Sequence, residues 1–80
     1  MMNIQTALDN VVSMYKQDTI DYKIIKQEDE LCIVDVTNKL APGSLLKIEI
    51  LSNKCCCVLE KTNVGFRSMK RFMDKLVEEL

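Results

Sequence analysis

The stretch from Leu45 to Glu60, LLKIEILSNKCCCVLE, constrains the fold of this chain more than any other. Its first half alternates with a period of two, which is typical of a strand with one apolar face, here Leu46, Ile48 and Ile50. Its second half alternates in the same way, and the wholly apolar face there holds Cys55, Cys57 and Leu59. The pattern predicts a hairpin that turns at Ser52-Asn53. Because a two-stranded ribbon is marginal in water, the rest of the chain must cover it.

Helical patterns begin and end the chain. The first is predicted over 3–16 with Asn3 as N-cap, and its apolar stripe is Ile4, Leu8, Val11, Val12 and Tyr15. The last is predicted to begin at a cap provided by Asn63 or Ser68. Its apolar positions recur at helical spacing, and they are Phe66, Met69, Phe72, Met73, Leu76, Val77 and Leu80.

Two more strands are predicted between the first helix and the hairpin. They span 21–27 and 31–37, and an acidic turn at 28–30 separates them. The segment 37–44 contains Pro42-Gly43 and is predicted to be a loop. The order is therefore helix, four strands, helix. This order predicts a single α+β domain over 1–80, αββββα, with a four-stranded antiparallel sheet. Because each helix has a single apolar stripe, both helices are expected on one face of the sheet.

That arrangement leaves the other face of the sheet uncovered. We expect it to bind a partner through apolar side chains that lie among charged ones, namely Leu31, Ile33, Leu45, Leu51, Cys56 and Val58. Such a patch is unfavourable in water. A second copy of the same surface is its simplest cover, so a homodimer is expected.

Composition argues against catalysis and against a metal or other cofactor. At 48% hydrophobic and 29% charged residues, the chain matches an ordinary globular domain. It has no histidine, which excludes Cys–His and Ser–His pairs and most zinc sites. The four cysteines include no C-x-x-C pair, so they are interpreted as free thiols in a reducing cytoplasm. No signal peptide or membrane-spanning run is apparent, so a cytoplasmic protein with no membrane partner is expected.

Cations are concentrated near the C-terminus, in a set that could contact phosphate: Lys61, Arg67, Lys70, Arg71 and Lys75. Arg67, Arg71 and Lys75 fall on one side of the last helix. The element order also resembles that of the double-stranded RNA-binding domain. That family has three strands and a lysine-rich start to its last helix, whereas this chain has four predicted strands and Ser68-Met69-Lys70-Arg71. The resemblance is therefore one of topology and assigns no family. The alternative interpretation of the cations is a solvated helix face.

These features predict a small non-catalytic protein-binding module. It is expected to form a homodimer and to act as an accessory or inhibitory protein on another protein, as short domains of phages and mobile elements often do. The alternative is a nucleic-acid-binding domain that uses the cationic last helix.

Overall fold

The computed structural model describes residues 4–15, 19–39, 41–52, 55–62 and 64–80. The elements, in chain order, are α1 (Ile4–Ser13), β1 (Ile20–Gln27), β2 (Leu31–Asn38), β3 (Ala41–Leu51), β4 (Cys56–Lys61) and α2 (Phe66–Glu79). The predicted α+β class and the order αββββα are confirmed. Some predicted features fall outside the described residues: the cap Asn3, the helix end Lys16, the turn residue Asn53, Lys54 and the cap Asn63.

The four strands form one antiparallel sheet in the order β1-β2-β3-β4, so each strand pairs with the next one along the chain. The strands β2 and β3 lie in the centre, and β1 and β4 are the edges. Neighbouring strands in sequence can pair after a short turn, which makes this meander the simplest antiparallel arrangement. At the β1–β2 turn, the backbone N–H of Glu28 donates to the carbonyl oxygen of Leu31 over 2.7 Å.

The core lies on one face of this sheet. Alternate residues of β2 and β3 are buried there, namely Cys32, Val34, Val36, Leu46, Ile48 and Ile50. The helices bury Ile4, Ala7, Leu8, Val11, Phe72 and Leu76, and all twelve side chains belong to one cluster. Because alternate strand residues share a face, both helices pack on the same side of the sheet, as predicted.

The segment predicted to be a loop, 37–44, is largely strand. Strand β2 continues to Asn38 and β3 begins at Ala41, and these two residues pair across the strands. The register of this pair shifts on both sides of Thr37, so extra residues of β3 bulge out. Gly43 has a φ of 112°, a left-handed conformation that glycine adopts without the steric cost that a Cβ would add. Glycine here therefore forms part of a β-bulge.

The last helix differs from its prediction in where it begins and in which residues it buries. Its N-cap is Gly65, and Ser68 lies within the helix instead of capping it. Phe72 and Leu76 are buried, but Phe66 and Val77 are 65% and 50% exposed. The apolar spacing therefore overestimated the width of the stripe that contacts the core. The first helix is also shorter than predicted, since α1 ends at Ser13 and a turn over Met14 and Tyr15 follows.

A hydrogen bond joins α1 to the edge strand β1. The hydroxyl oxygen of Tyr22 lies 2.6 Å from Asp9 Oδ1 and 3.4 Å from the carbonyl oxygen of Gln5. Burial and the Asp9 carboxylate both favour the neutral phenol, and together they raise the pKa of Tyr22 to about 12. The hydrogen bond between Tyr22 and α1 should therefore persist at any pH at which the phenol is protonated.

We expect the stability of the protein to fall at alkaline pH through Tyr22. Because its pKa is raised on folding, its contribution is complete below the unfolded value near pH 10 and is lost as pH rises towards about 12. Tyr22→Phe should cost about 1 kcal/mol at pH 7 and remove part of the alkaline loss. Urea unfolding of both proteins from pH 7 to 11.5 measures this. Parallel pH dependences would contradict the assignment.

Candidate interaction surface

The sheet face opposite the core is covered by no described element of the chain, and we call it the open face. One row of residues, which we call the charge row, crosses all four strands there. It consists of Lys23 in β1, Asp35 in β2, Lys47 in β3 and Glu60 in β4, and each residue pairs in register with the next. Charge therefore alternates in sign across the sheet. Opposite charges on neighbouring strands are favourable, and Lys47 Nζ lies 3.6 Å from Glu60 Oε2.

Apolar side chains occupy the other end of the open face. Leu31 pairs with Leu51 at the far end of the central strands, and Ile33 lies between them and the charge row. All three are half-buried within the chain, so each still presents apolar surface to solvent. Glu49, which pairs with Ile33 on one side and Cys57 on the other, adds a charge to this end.

Bulges in the two edge strands add two more apolar side chains to the open face. In β1 the register passes from Ile24–Val34 to Lys26–Ile33, so Ile25 is an extra residue. In β4 the register passes from Ile48–Val58 to Lys47–Glu60, so Leu59 is extra. Both fall next to open-face residues, and they are 47% and 49% exposed. A bulge places two residues opposite one and thereby redirects a side chain.

The structure divides the predicted partner-binding residues into two groups. Leu31, Ile33 and Leu51 lie on the open face. The placement of Leu45, Cys56 and Val58 there was wrong, since all three are partly buried and pack against the core cluster. Cys56 and Val58 pair with the core residues Ile50 and Ile48, which puts them on the helix side.

Sequence reasoning missed three open-face residues, Ile25, Cys57 and Leu59. In β4 periodicity favoured the wrong set for the helix side, because the bulge at Leu59 moves Glu60 to the face that holds Cys57. The adjacent pair Ile24-Ile25 was the available signal in β1, because two consecutive apolar residues in an alternating strand are typical of a bulge. Leu45 was misplaced for a related reason: it lies between Leu46, which pairs with Val36, and Ser44, which pairs with Thr37.

The four cysteines form no disulfide with one another. Burial raises the pKa of the Cys32 and Cys56 thiols, so little reactive thiolate forms at neutral pH. Cys55 and Cys57 are exposed at the β4 side of the sheet. Among the described residues, no cluster of cysteines and carboxylates could hold a metal ion.

The predicted phosphate-binding cations are not all available. Lys70 Nζ lies 2.8 Å from Asp74 Oδ2, and Lys75 Nζ lies 3.1 Å from Glu79 Oε1. Arg67 and Arg71 are exposed and, within the described part of the chain, form no ion pair. Lys61 is the last residue of β4 and lies outside the helix. Two arginines therefore stand out from a surface whose lysines are paired with acids.

A cleft of about 250 Å³ lies between α2 and the end of the sheet where β2 meets β3. Its walls include Val36, Leu46, Met69 and Phe72, and Tyr15 stacks on Phe72 with ring centroids 6.4 Å apart. Burial raises the pKa of Tyr15, so its phenol stays neutral. The cleft has no cluster of charged groups and is interpreted as a gap beside the core.

Comparison with known proteins adds no assignment to this geometry. No protein-family model, curated protein sequence or solved structure matches the chain at a significant level. Among the described helices, none is long and apolar enough to cross a membrane. What the chain binds must therefore be inferred from its own surfaces, of which the open face is the most distinctive.

Proposed function

We propose that the protein is a small non-catalytic protein-binding module and that the open face is its contact surface. The observation that carries this proposal is a group of half-exposed apolar side chains on the sheet face opposite the helices. They are Ile25, Ile33, Leu31 and Leu51. Monomeric proteins rarely leave a contiguous apolar patch of more than a few hundred Å² in water. A partner that covers this patch removes apolar surface from water, and this burial stabilises the complex.

The composition of the open face suits contact with a protein. Its apolar side chains Ile33, Leu31 and Leu51 lie on the central strands, and four of its charges form the charge row beside them. Protein interfaces combine an apolar centre with a polar rim in this way. The charge row is close to neutral, since two lysines stand beside two acids. A nucleic acid would instead require an excess of cations.

Two further observations support a non-catalytic role. The chain has no histidine, and the adjacent carboxylates Glu78 and Glu79 both pair with Lys75. An accessory or inhibitory action on another protein is the role that we propose for a chain this short.

Nucleic-acid binding is the second candidate, and Arg67 and Arg71 favour it. It has weaker support, because Lys70 and Lys75 each contact a carboxylate and because the whole chain carries a net charge of -1. Binding of duplex RNA that persists near physiological salt and is lost in a variant with both arginines changed to glutamate would favour this candidate.

Site-specific photo-cross-linking in cells that naturally express the protein tests the proposal. A photoreactive phenylalanine at position 33 should cross-link to one discrete protein, either a second copy or another chain. The same group at position 70, on the exposed surface of α2, is the matched control and should not give that product. Failure of position 33 to cross-link to any protein would contradict the proposed function.

A further inference from the structure

We infer that the partner of the open face is a second copy of this chain, and that a twofold axis parallel to the strands, between β2 and β3, relates the two copies. This inference rests on the proposed function, because it assumes that the open face is a binding surface. It goes further by naming the partner and the contacts.

Packing two sheets face to face leaves few choices for the axis. Stacked sheets keep their strand directions within about 30° of each other and lie about 10 Å apart. A twofold axis in the plane between them can therefore run nearly along the strands or nearly across them. An axis along the strands places β1 opposite β4 of the other copy and β2 opposite β3. It also keeps each cross-strand row opposite the same row.

The charge row is complementary to itself under this operation. Lys23 faces the partner's Glu60, and Asp35 faces the partner's Lys47, and the symmetry repeats both pairs. An axis across the strands through the row would place each charge opposite its own copy, lysine against lysine and acid against acid. An axis across the strands elsewhere would place the charge row opposite a different row, either that of Lys26, Ile33 and Glu49 or that of Asp21 and Thr37. The axis along the strands is the arrangement in which all four charges of the row meet an opposite charge, and such complementarity fixes register between partners.

The apolar residues agree with the same axis. The bulged residues Ile25 and Leu59 both lie on edge strands, between the charge row and the row of Ile33. The axis brings Ile25 opposite the partner's Leu59, and the two are exposed to nearly the same extent, 47% and 49%. At the far end, Leu31 lies opposite the partner's Leu51. Four apolar contacts therefore form, two of each kind.

Glu49 is the least favourable position in this arrangement, because it lies opposite the partner's Ile33. Lys26 pairs with Ile33 in the same row. The partner's Lys26 is thus one strand away from Glu49, about 4.8 Å to the side, and it offers the carboxylate a cation. The face is about four strands, or roughly 19 Å, across. An interface of this size is at the low end for specific complexes, so we expect a dimer that dissociates on dilution.

Charge reversal in trans tests the inference with the intact protein. Lys23→Glu places glutamate opposite the partner's Glu60, and Glu60→Lys places lysine opposite the partner's Lys23. Each variant alone should dimerise at least about tenfold more weakly than the wild type, since two attractive pairs become repulsive. An equimolar mixture of the two should recover most of the affinity, because every facing pair is then opposite in charge. Sedimentation equilibrium over a concentration series measures all three.

The control is Lys70→Glu on α2, which should leave dimerisation unchanged. Urea unfolding of each variant shows whether the reversal has altered the fold, for instance through the intrachain pairs Lys23–Asp35 and Lys47–Glu60. A change within one chain cannot be repaired by mixing, so recovery in the mixture identifies a contact between chains. A wild-type protein that stays monomeric at high concentration overturns the inference. It does not contradict the proposed function, which the cross-linking experiment at position 33 tests separately. Dimerisation that mixing does not recover overturns the axis.

Discussion

Val34→Asp is expected to leave no folded protein, whereas Ile33→Asp, one residue earlier in the same strand, is expected to leave the fold intact. Val34 is fully buried, at 0% exposure, on the helix side of the central strand β2. No polar or charged side chain is buried among the described residues, so a carboxylate there would have no partner. An unpaired buried charge costs several kcal/mol. A chain of this length has only about 4–12 kcal/mol of stability in total.

Ile33 is the neighbour of Val34 in β2 and lies on the opposite face of the sheet. Its side chain is half-buried on the open face, in a row with Lys26 and Glu49. An aspartate there stays in contact with water, so its cost to folding should be small. It should instead prevent association, because the proposed interface would bury it. Far-UV circular dichroism reports the fold and sedimentation the oligomeric state. A folded Val34→Asp beside an unfolded Ile33→Asp would reverse the assignment of the two faces.

The fold class could be predicted because the decisive patterns are local. In β2 the set Cys32, Val34 and Val36 is wholly apolar, whereas the alternate set contains Asp35, and this difference indicates which set faces the core. The stripe of Ile4, Leu8 and Val11 in α1 has the same clarity. Four strands in succession, with short connections, favour a meander. None of these inferences needs knowledge of which strand residue pairs with which.

The composition of the open face could not be predicted, because it depends on register. Whether Cys56 or Cys57 faces the helices is decided by the bulge at Leu59, which moves the alternation of β4 by one residue relative to β3. A shift of one residue exchanges the two faces of a strand. Without the bulge, Glu60 shares a face with Cys56 and Val58, which indicated that this face is exposed to solvent. The bulge moves Glu60 to the opposite face, so the choice of Cys56 and Val58 for the open face was wrong.

The bulges and the charge row both restrict what can pair with the open face and its edge strands. Each bulge keeps an apolar residue beside a charged one on the same face, Ile25 beside Lys26 and Leu59 beside Glu60. Edge strands with exposed apolar residues risk indiscriminate pairing, and bulges and charges limit it. In the proposed dimer the same devices select one arrangement. The alternating charges select the axis, and the bulged residues are compatible with it.

The apolar stripe of α2 that contacts the core is narrower than the spacing of its apolar residues predicts. The spacing of the sequence places Leu76 and Val77 in one stripe, but the structure buries Leu76 completely and leaves Val77 half exposed. Leu76 belongs to the core cluster with Phe72 and the residues of α1. Truncating a fully buried leucine removes its burial free energy and leaves a cavity that the surroundings fill only in part.

Leu76→Ala is therefore expected to lower the free energy of unfolding by about 2–5 kcal/mol, a large part of the total stability of a chain this short. Val77→Ala is the matched control and should change it by no more than about 0.5 kcal/mol, since alanine also has the higher helix propensity. Urea titrations at one fixed protein concentration measure both, because association adds to the apparent stability of any oligomer. Equal losses at the two positions would mean that α2 presents a different face to the core.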